Sequence, residues 1–241
     1  MREIVSSSID IKFALFPLTG LSSAERTGWN VDASEISFSG KVQNYCVCFI
    51  DMIGSTKISA ELSPAQLSRY YELFLNAIAL IAKNFGARIV KNAGDALIFY
   101  FEDASDPGNI TRFRNVLDCG LTMGMASSAL NAKMQSERLP PVKYRISADF
   151  GQVSVARSQS SQSEDLFGPA MNNCAKINSM AKENGLIIGE GLHNVVKGLD
   201  EYIFEPAKVT AGERTNYFSG YHVDSKERRD VINPFERRGA G

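Results

Sequence analysis

The stretch Ala87-Arg88-Ile89-Val90-Lys91-Asn92-Ala93-Gly94-Asp95-Ala96-Leu97-Ile98-Phe99-Tyr100-Phe101 decides the architecture. Two short strand candidates, 87–91 and 96–101, flank Asn92-Ala93-Gly94-Asp95. A glycine-bearing turn between two β-forming segments is a hairpin signal. A hairpin pairs neighbouring strands antiparallel, which argues against a doubly wound parallel sheet.

Working outward, the segment before the hairpin is a helix with its start written in the sequence. Ser63 stands at the N-cap, Pro64 at the first helical position and Gln66 three residues after the cap. Leu67, Tyr70, Tyr71, Phe74, Leu75, Ile78 and Ile81 then recur at helical spacing until Gly86 stops the run. Val42–Ile50 ahead of it reads as a buried strand. After the hairpin, 111–135 carries Phe113, Val116, Leu117, Leu121, Met125 and Leu130 and predicts a long helix. Strands follow at 143–150 and 152–156, broken at Gly151, then a helix from Pro169 to about Lys182 and two strands near 201–204 and 217–222. Hairpins alternating with single long helices predict an α+β fold, a ferredoxin-like antiparallel sheet with helices packed on one face. The expected organisation is an N-terminal extension at 1–40, one domain at 41–223 and a charged flexible tail at 224–241.

Composition narrows the function classes. With 44% apolar and 22% charged residues the chain is ordinary globular protein, and its net charge of −1 supplies no field for nucleic acid or an anionic membrane. No apolar run approaches the length of a membrane span, and no basic-then-apolar leader opens the sequence. Cys46, Cys48, Cys119 and Cys174 form no CxxC pair and have no histidine at ligand spacing, so buried thiols in a reducing cytoplasm are expected.

The chemistry-bearing residues lie at the punctuation points. Phe49-Ile50-Asp51-Met52-Ile53-Gly54-Ser55-Thr56 ends a buried strand in a carboxylate and follows it with a small, flexible segment. Such a turn can aim backbone N–H groups of Ile53, Gly54, Ser55 and Thr56 at phosphate oxygens while Asp51 holds a cation beside them. Taken alone, it is equally a capped turn. The hairpin tip supplies a second carboxylate, Asp95, with Lys91 just before it. If the hairpin packs beside the first strand, the two acids converge, and a hard divalent cation relieves their repulsion. No Ser/His/Asp or Cys/His set can be assembled. Arg145, Asp149, His193 and His222 receive no chemical role, Asp149 being expected to cap a turn.

With Asp165-Leu166-Phe167-Gly168-Pro169-Ala170-Met171-Asn172 added, the ordered motifs over roughly 42–222 resemble those of class III adenylate and guanylate cyclases. The resemblance implies a homodimer with active sites shared between two chains, and two divalent cations, Mg²⁺ or Mn²⁺. Asp51 and Asp95 would be the metal carboxylates, joined by a backbone carbonyl beside the first aspartate, at Ile50 or Met52. Lys91 and Asp165 would read the base, Asn172 would orient the ribose, and Lys208 is the candidate for meeting the triphosphate. Lys176 falls where the family has an arginine that steadies charge on the α-phosphate. Lysine keeps the charge without the planar fork, which predicts a slow enzyme. The implied activity is conversion of ATP to 3′,5′-cyclic AMP and pyrophosphate, in the cytoplasm, with no nucleic acid partner. A nucleotide-binding regulatory module without turnover, and a cyclase acting on GTP or a pyrimidine triphosphate, remain open at this stage.

Overall fold

The structure is a computed structural model that describes residues 36–158, 164–207 and 219–227. Lys208, the N-terminal segment to residue 35 and the tail beyond residue 227 lie outside the described residues. The elements in chain order are β1 (Ile36–Met52), α1 (Ser55–Glu61), α2 (Pro64–Asn84), β2 (Arg88–Ala93), β3 (Ala96–Phe101), α3 (Ile110–Ser136) and β4 (Tyr144–Ser158). They continue as β5 (Glu164–Phe167), α4 (Pro169–Asn178), β6 (Leu186–Gly189), α5 (Glu190–Val196), β7 (Tyr202–Pro206) and β8 (Gly220–Ser225). β1 starts ahead of the expected boundary at 41, and β8 runs past the one at 223.

Among the described residues, eight strands form one sheet in the order β2-β3-β1-β4-β6-β8-β7, with β5 paired to the far part of β4. The hairpin turns at Gly94, whose φ of 66° is readily available to glycine. It sets β3 antiparallel to both β2 and β1. The expected α+β class with a helix-covered sheet holds, and three details differ. The sheet is mixed, because β4 and β6 run parallel. Parallel neighbours need a crossover, here through α4. Second, helices cover both faces. Third, β4 passes straight through Gly151, which pairs with Tyr45 on β1.

Period-two alternation sorts β1 between two cores. Cys46, Cys48, Ile50 and Met52 point to one face and pack with Phe74 and Ile78 of α2 and Phe113, Val116 and Leu117 of α3. Tyr45 and Val47 point to the other face and meet Tyr100, Val153 and Ala170 of α4. All four cysteines are buried and free. The capping box at Ser63 and Gln66 forms as read, with the Ser63 side chain accepting from the Gln66 N–H. The Phe74 ring is wholly buried against Tyr144, centroids 5.3 Å apart.

Two substitutions rank these contributions. Phe74→Ala should cost about 3–5 kcal/mol by leaving a cavity between α2 and the sheet. Ser63→Ala should cost about 1 kcal/mol through the lost cap. Chemical denaturation of both variants checks the order; equal losses would contradict it.

Candidate active site

β1 delivers Asp51 to one corner of the sheet. In the ladder Asp51 lies between Ala96 on β3 and Arg145 on β4. Ile50 is buried in the core, flanked by Leu97 and Ile146, while Met52 has a strand partner in Tyr144. Asp95 immediately precedes Ala96, so the hairpin tip brings the second carboxylate to the same corner. The convergence has an electrostatic signature. Burial, then repulsion from Asp95, pushes the Asp51 carboxyl above its usual range, and Arg145 pulls it back. That corner fits a hard divalent cation: two neighbouring carboxylates, one of them held above its usual range.

Arg145, which the sequence gives no role, stands at the same corner. It sits across the ladder from Asp51, and its Nε is buried without a hydrogen-bond partner among the described residues. The only sequence signal was a cation on a strand at the correct parity, which is unreadable without the register.

The segment after Asp51 turns at Gly54, in the left-handed region at φ 76°, and enters α1 directly. No side chain caps this helix start. Ile53 differs from expectation as a phosphate donor: its N–H is already given to the Lys143 carbonyl at 2.8 Å. The helical start offers instead the backbone of Gly54, Ser55 and Thr56.

The remaining residues lie elsewhere on the same chain. Lys91 occupies β2 at a register shift, opposite Ile98. Asp165 lies on β5 opposite Ala156, and its Oδ1 accepts from the Leu166 N–H at 2.9 Å. β2 and β5 touch, so the two base-reading candidates sit on adjoining strands. α4 presents Ala170, Cys174, Ile177 and Asn178 to the sheet and leaves Asn172 and Lys176 exposed on its outer side. Asn172 and Lys176 are one helical turn apart, so they share a face. His193 stacks on Tyr221, centroids 3.6 Å apart.

The sequence profile of the adenylate and guanylate cyclase catalytic domain matches residues 38–218. This chain belongs to that family. It is similar to a cyclase-family protein named cytidylate cyclase from Staphylococcus aureus, 25% identical over 191 residues, which make up 77% of this chain and 44% of that one. It is also similar to an adenylate cyclase from Streptomyces griseus, 24% identical over 142 residues, 59% of this chain and 30% of that one. The chain therefore matches less than half of these relatives' length. Among solved structures, the adenylyl cyclase CyaB from P. aeruginosa superposes with a TM-score of 0.68 at 20% identity, covering 78% of this chain and 97% of that one. The guanylyl cyclase Cya2 gives 0.66 at 17%, covering 77% and 94%. The chain thus carries a nucleotide cyclase catalytic domain with the cyclase fold. No helix among the described residues is long and apolar enough to cross a membrane.

The electrostatics make a testable statement about the metal-free cyclase domain. Because its folded pKa is raised, Asp51 contributes stability that is present at low pH and lost as pH rises through that pKa. Asp95→Asn should lower the Asp51 pKa and Arg145→Met should raise it further. Carboxyl-carbon NMR titration reads both, and an unmoved Asp51 in Asp95→Asn would show that the two acids do not interact.

Proposed function

We propose that this domain cyclises a nucleoside triphosphate whose Watson–Crick edge sets an exocyclic amino group beside a ring-nitrogen acceptor, ATP first, to the 3′,5′-cyclic nucleotide and pyrophosphate. The observation that carries the reading is the meeting of Asp51 and Asp95, from separate stretches of chain, at one sheet corner where they repel. In the reaction the ribose 3′-oxygen bonds to the α-phosphorus, the bond from that phosphorus to the bridging oxygen breaks, pyrophosphate leaves, and the hydroxyl proton passes to solvent. Divalent cations held by Asp51, Asp95 and a neighbouring carbonyl of Ile50 or Met52 would supply acidification of the 3′-hydroxyl and neutralisation of the leaving group. Arg145, beside Asp51, would add a fixed positive charge near the phosphates, and the N–H groups that open α1 would add hydrogen-bond donors. Asn172 would orient the ribose and Lys176 would counter charge on the α-phosphate.

Two copies fit this assignment better than one. Asn172 and Lys176 point away from the sheet that holds the acids. Exposed Val42 and Phe167, at 60% and 42%, flank Ser154 in one row across β1, β4 and β5. A second copy would cover that apolar row and complete the site from across the seam, each chain giving its acids to one site and its α4 to the other.

Base choice follows from donors and acceptors. A lysine donates to a ring nitrogen acceptor and an aspartate accepts from an exocyclic amino group. Adenine presents that edge at N1 and N6, and guanine and uracil present the reverse. Cytosine presents it too, at N3 and its 4-amino group. CTP is therefore the second reading, favoured by the similarity to a protein named cytidylate cyclase over 77% of the chain.

Assaying all four triphosphates with Mn²⁺ tests the reading, and ATP or CTP should outrun GTP and UTP. Leading turnover of GTP or UTP would overturn the Lys91/Asp165 assignment. Nucleotide binding without any product would make the domain a regulatory module. Asp51→Ala and Asp95→Ala should abolish product while leaving the circular dichroism spectrum intact. Lys176→Arg should hold or raise the rate, since restoring the fork recovers part of a donor whose complete loss costs about 10²–10³.

A further inference from the structure

α4 stands on the sheet with little apolar surface to hold it. Ala170 belongs to one small cluster with Tyr45, Val47 and Val153, and Ile177 to another with Ala181 and Ile187. No residue of α4 belongs to the large core beneath α2 and α3. Apolar contacts are not directional, so so few of them would let the helix slide or turn on the sheet.

A buried polar node supplies the missing direction. The Ser147 hydroxyl on β4 has two carbonyl acceptors in reach, that of Cys174 in α4 at 2.9 Å and that of Phe49 in β1 at 3.2 Å. The Asn178 side-chain amide, at the end of α4, donates toward Ser147 Oγ at 3.1 Å and the carbonyls of Phe49 at 3.2 Å and Arg145 at 3.3 Å. Ser147 is fully buried and Asn178 is only 3% exposed, so water does not compete for these bonds. The strand acceptors lie next to the acidic corner. Phe49 is two residues before Asp51, and Arg145 is the residue that Asp51 pairs with on β4. On the helix, Cys174 and Asn178 stand two residues before and two after Lys176.

We propose that Ser147 and Asn178 are positioning residues for cyclisation: they lock α4 in one register on β1 and β4 and so set where Lys176 stands. The same two strands carry Val42 and Ser154 of the apolar row that a second copy would cover. The register of α4 on them therefore sets the reach of Lys176 across the seam to the other copy's acids. A buried amide left without acceptors would be costly, so slipping α4 out of this register is opposed. The proposal rests on the cyclase reading above, and adds to it two residues that never touch the nucleotide.

Asn178→Leu removes the amide at similar volume, and Ser147→Ala, which removes only the hydroxyl, is the second variant should the first fail to fold. Both are assayed with Mn²⁺ and whichever triphosphate the unsubstituted domain turns over fastest. In Asn178→Leu kcat should fall about ten- to a hundredfold with KM within about twofold, as expected when a transition-state group is misplaced, and Ser147→Ala should move the same way. The deciding measurement repeats each substitution in a Lys176→Ala background. There the further fall should be less than about threefold, because the group being positioned is already gone. Equal fold-losses in the two backgrounds overturn the proposal and leave the cyclase reading standing, and so does wild-type kcat in a folded variant. Absence of product from the unsubstituted protein with all four triphosphates overturns the cyclase reading instead. Hydrogen exchange then judges the register alone: quickening confined to 169–178 supports it, and equal quickening in α2 and α4 overturns it.

Discussion

Two carboxylates that repel one another are held at one corner because the sheet leaves them no alternative. Asp51 cannot swing away without rotating β1, and rotating β1 would turn Ile50 and Met52 out of the core shared with α2 and α3. Asp95 cannot retreat either, because Ala96 beside it is fixed opposite Asp51 by the β1–β3 register. The hydrophobic core thus stores an electrostatic conflict at its rim. A ligand carrying positive charge relieves that conflict, which gives the folded chain a reason to bind one. The rest of the proposed site is arranged with respect to this corner: Arg145 tempers the repulsion from the next strand, and the start of α1 follows directly.

The helix to which the proposed reading gives the remaining chemistry is held differently. α2 lies on the sheet through apolar packing, whereas α3 adds bonds from the Tyr144 hydroxyl to the Met123 carbonyl at 2.6 Å and from the Tyr202 hydroxyl to Asp118 at 2.7 Å. α4 adds a row of hydrogen bonds through Ser147, Cys174 and Asn178. Directional bonds in a dry setting specify one position where greasy contacts permit several. That difference suits a helix whose outer face must meet a reacting phosphate. It bears most strongly on Lys176, whose flexible stem lacks the planar fork of arginine and depends more on where its backbone stands.

Much of this was legible in the residues. The Gly94 hairpin, the Ser63 cap, the helical period of α2 and the strand ending at Asp51 all depend on spacing within a short window, and spacing is what a sequence displays. The α+β class followed from their order. What escaped reading depends on tertiary placement. β6 is a run of only four residues, Leu186–Gly189, too short to tell from a buried turn. Its parallel pairing with β4 could not be read without it. Arg145 looked inert because its neighbour Asp51 is far away in the chain. Asp149 was read as a turn cap, and it does cap, but the helix it serves begins at Glu190.

Substrate choice illustrates how far such local logic reaches. A lysine and an aspartate can tell an amino-bearing edge from a carbonyl-bearing one, because the wrong edge leaves two like groups facing each other. They cannot tell adenine from cytosine, whose edges carry the same donor and acceptor in the same order. Only size separates those bases: the purine places its edge one ring further from the ribose. On the proposed reading, the depth that distinguishes them is the span from Lys91 and Asp165 of one copy to the acids of the other. No residue of a single chain sets that span. It would be fixed by how two copies settle against each other, so the specificity of this domain would be a property of its seam as much as of its side chains.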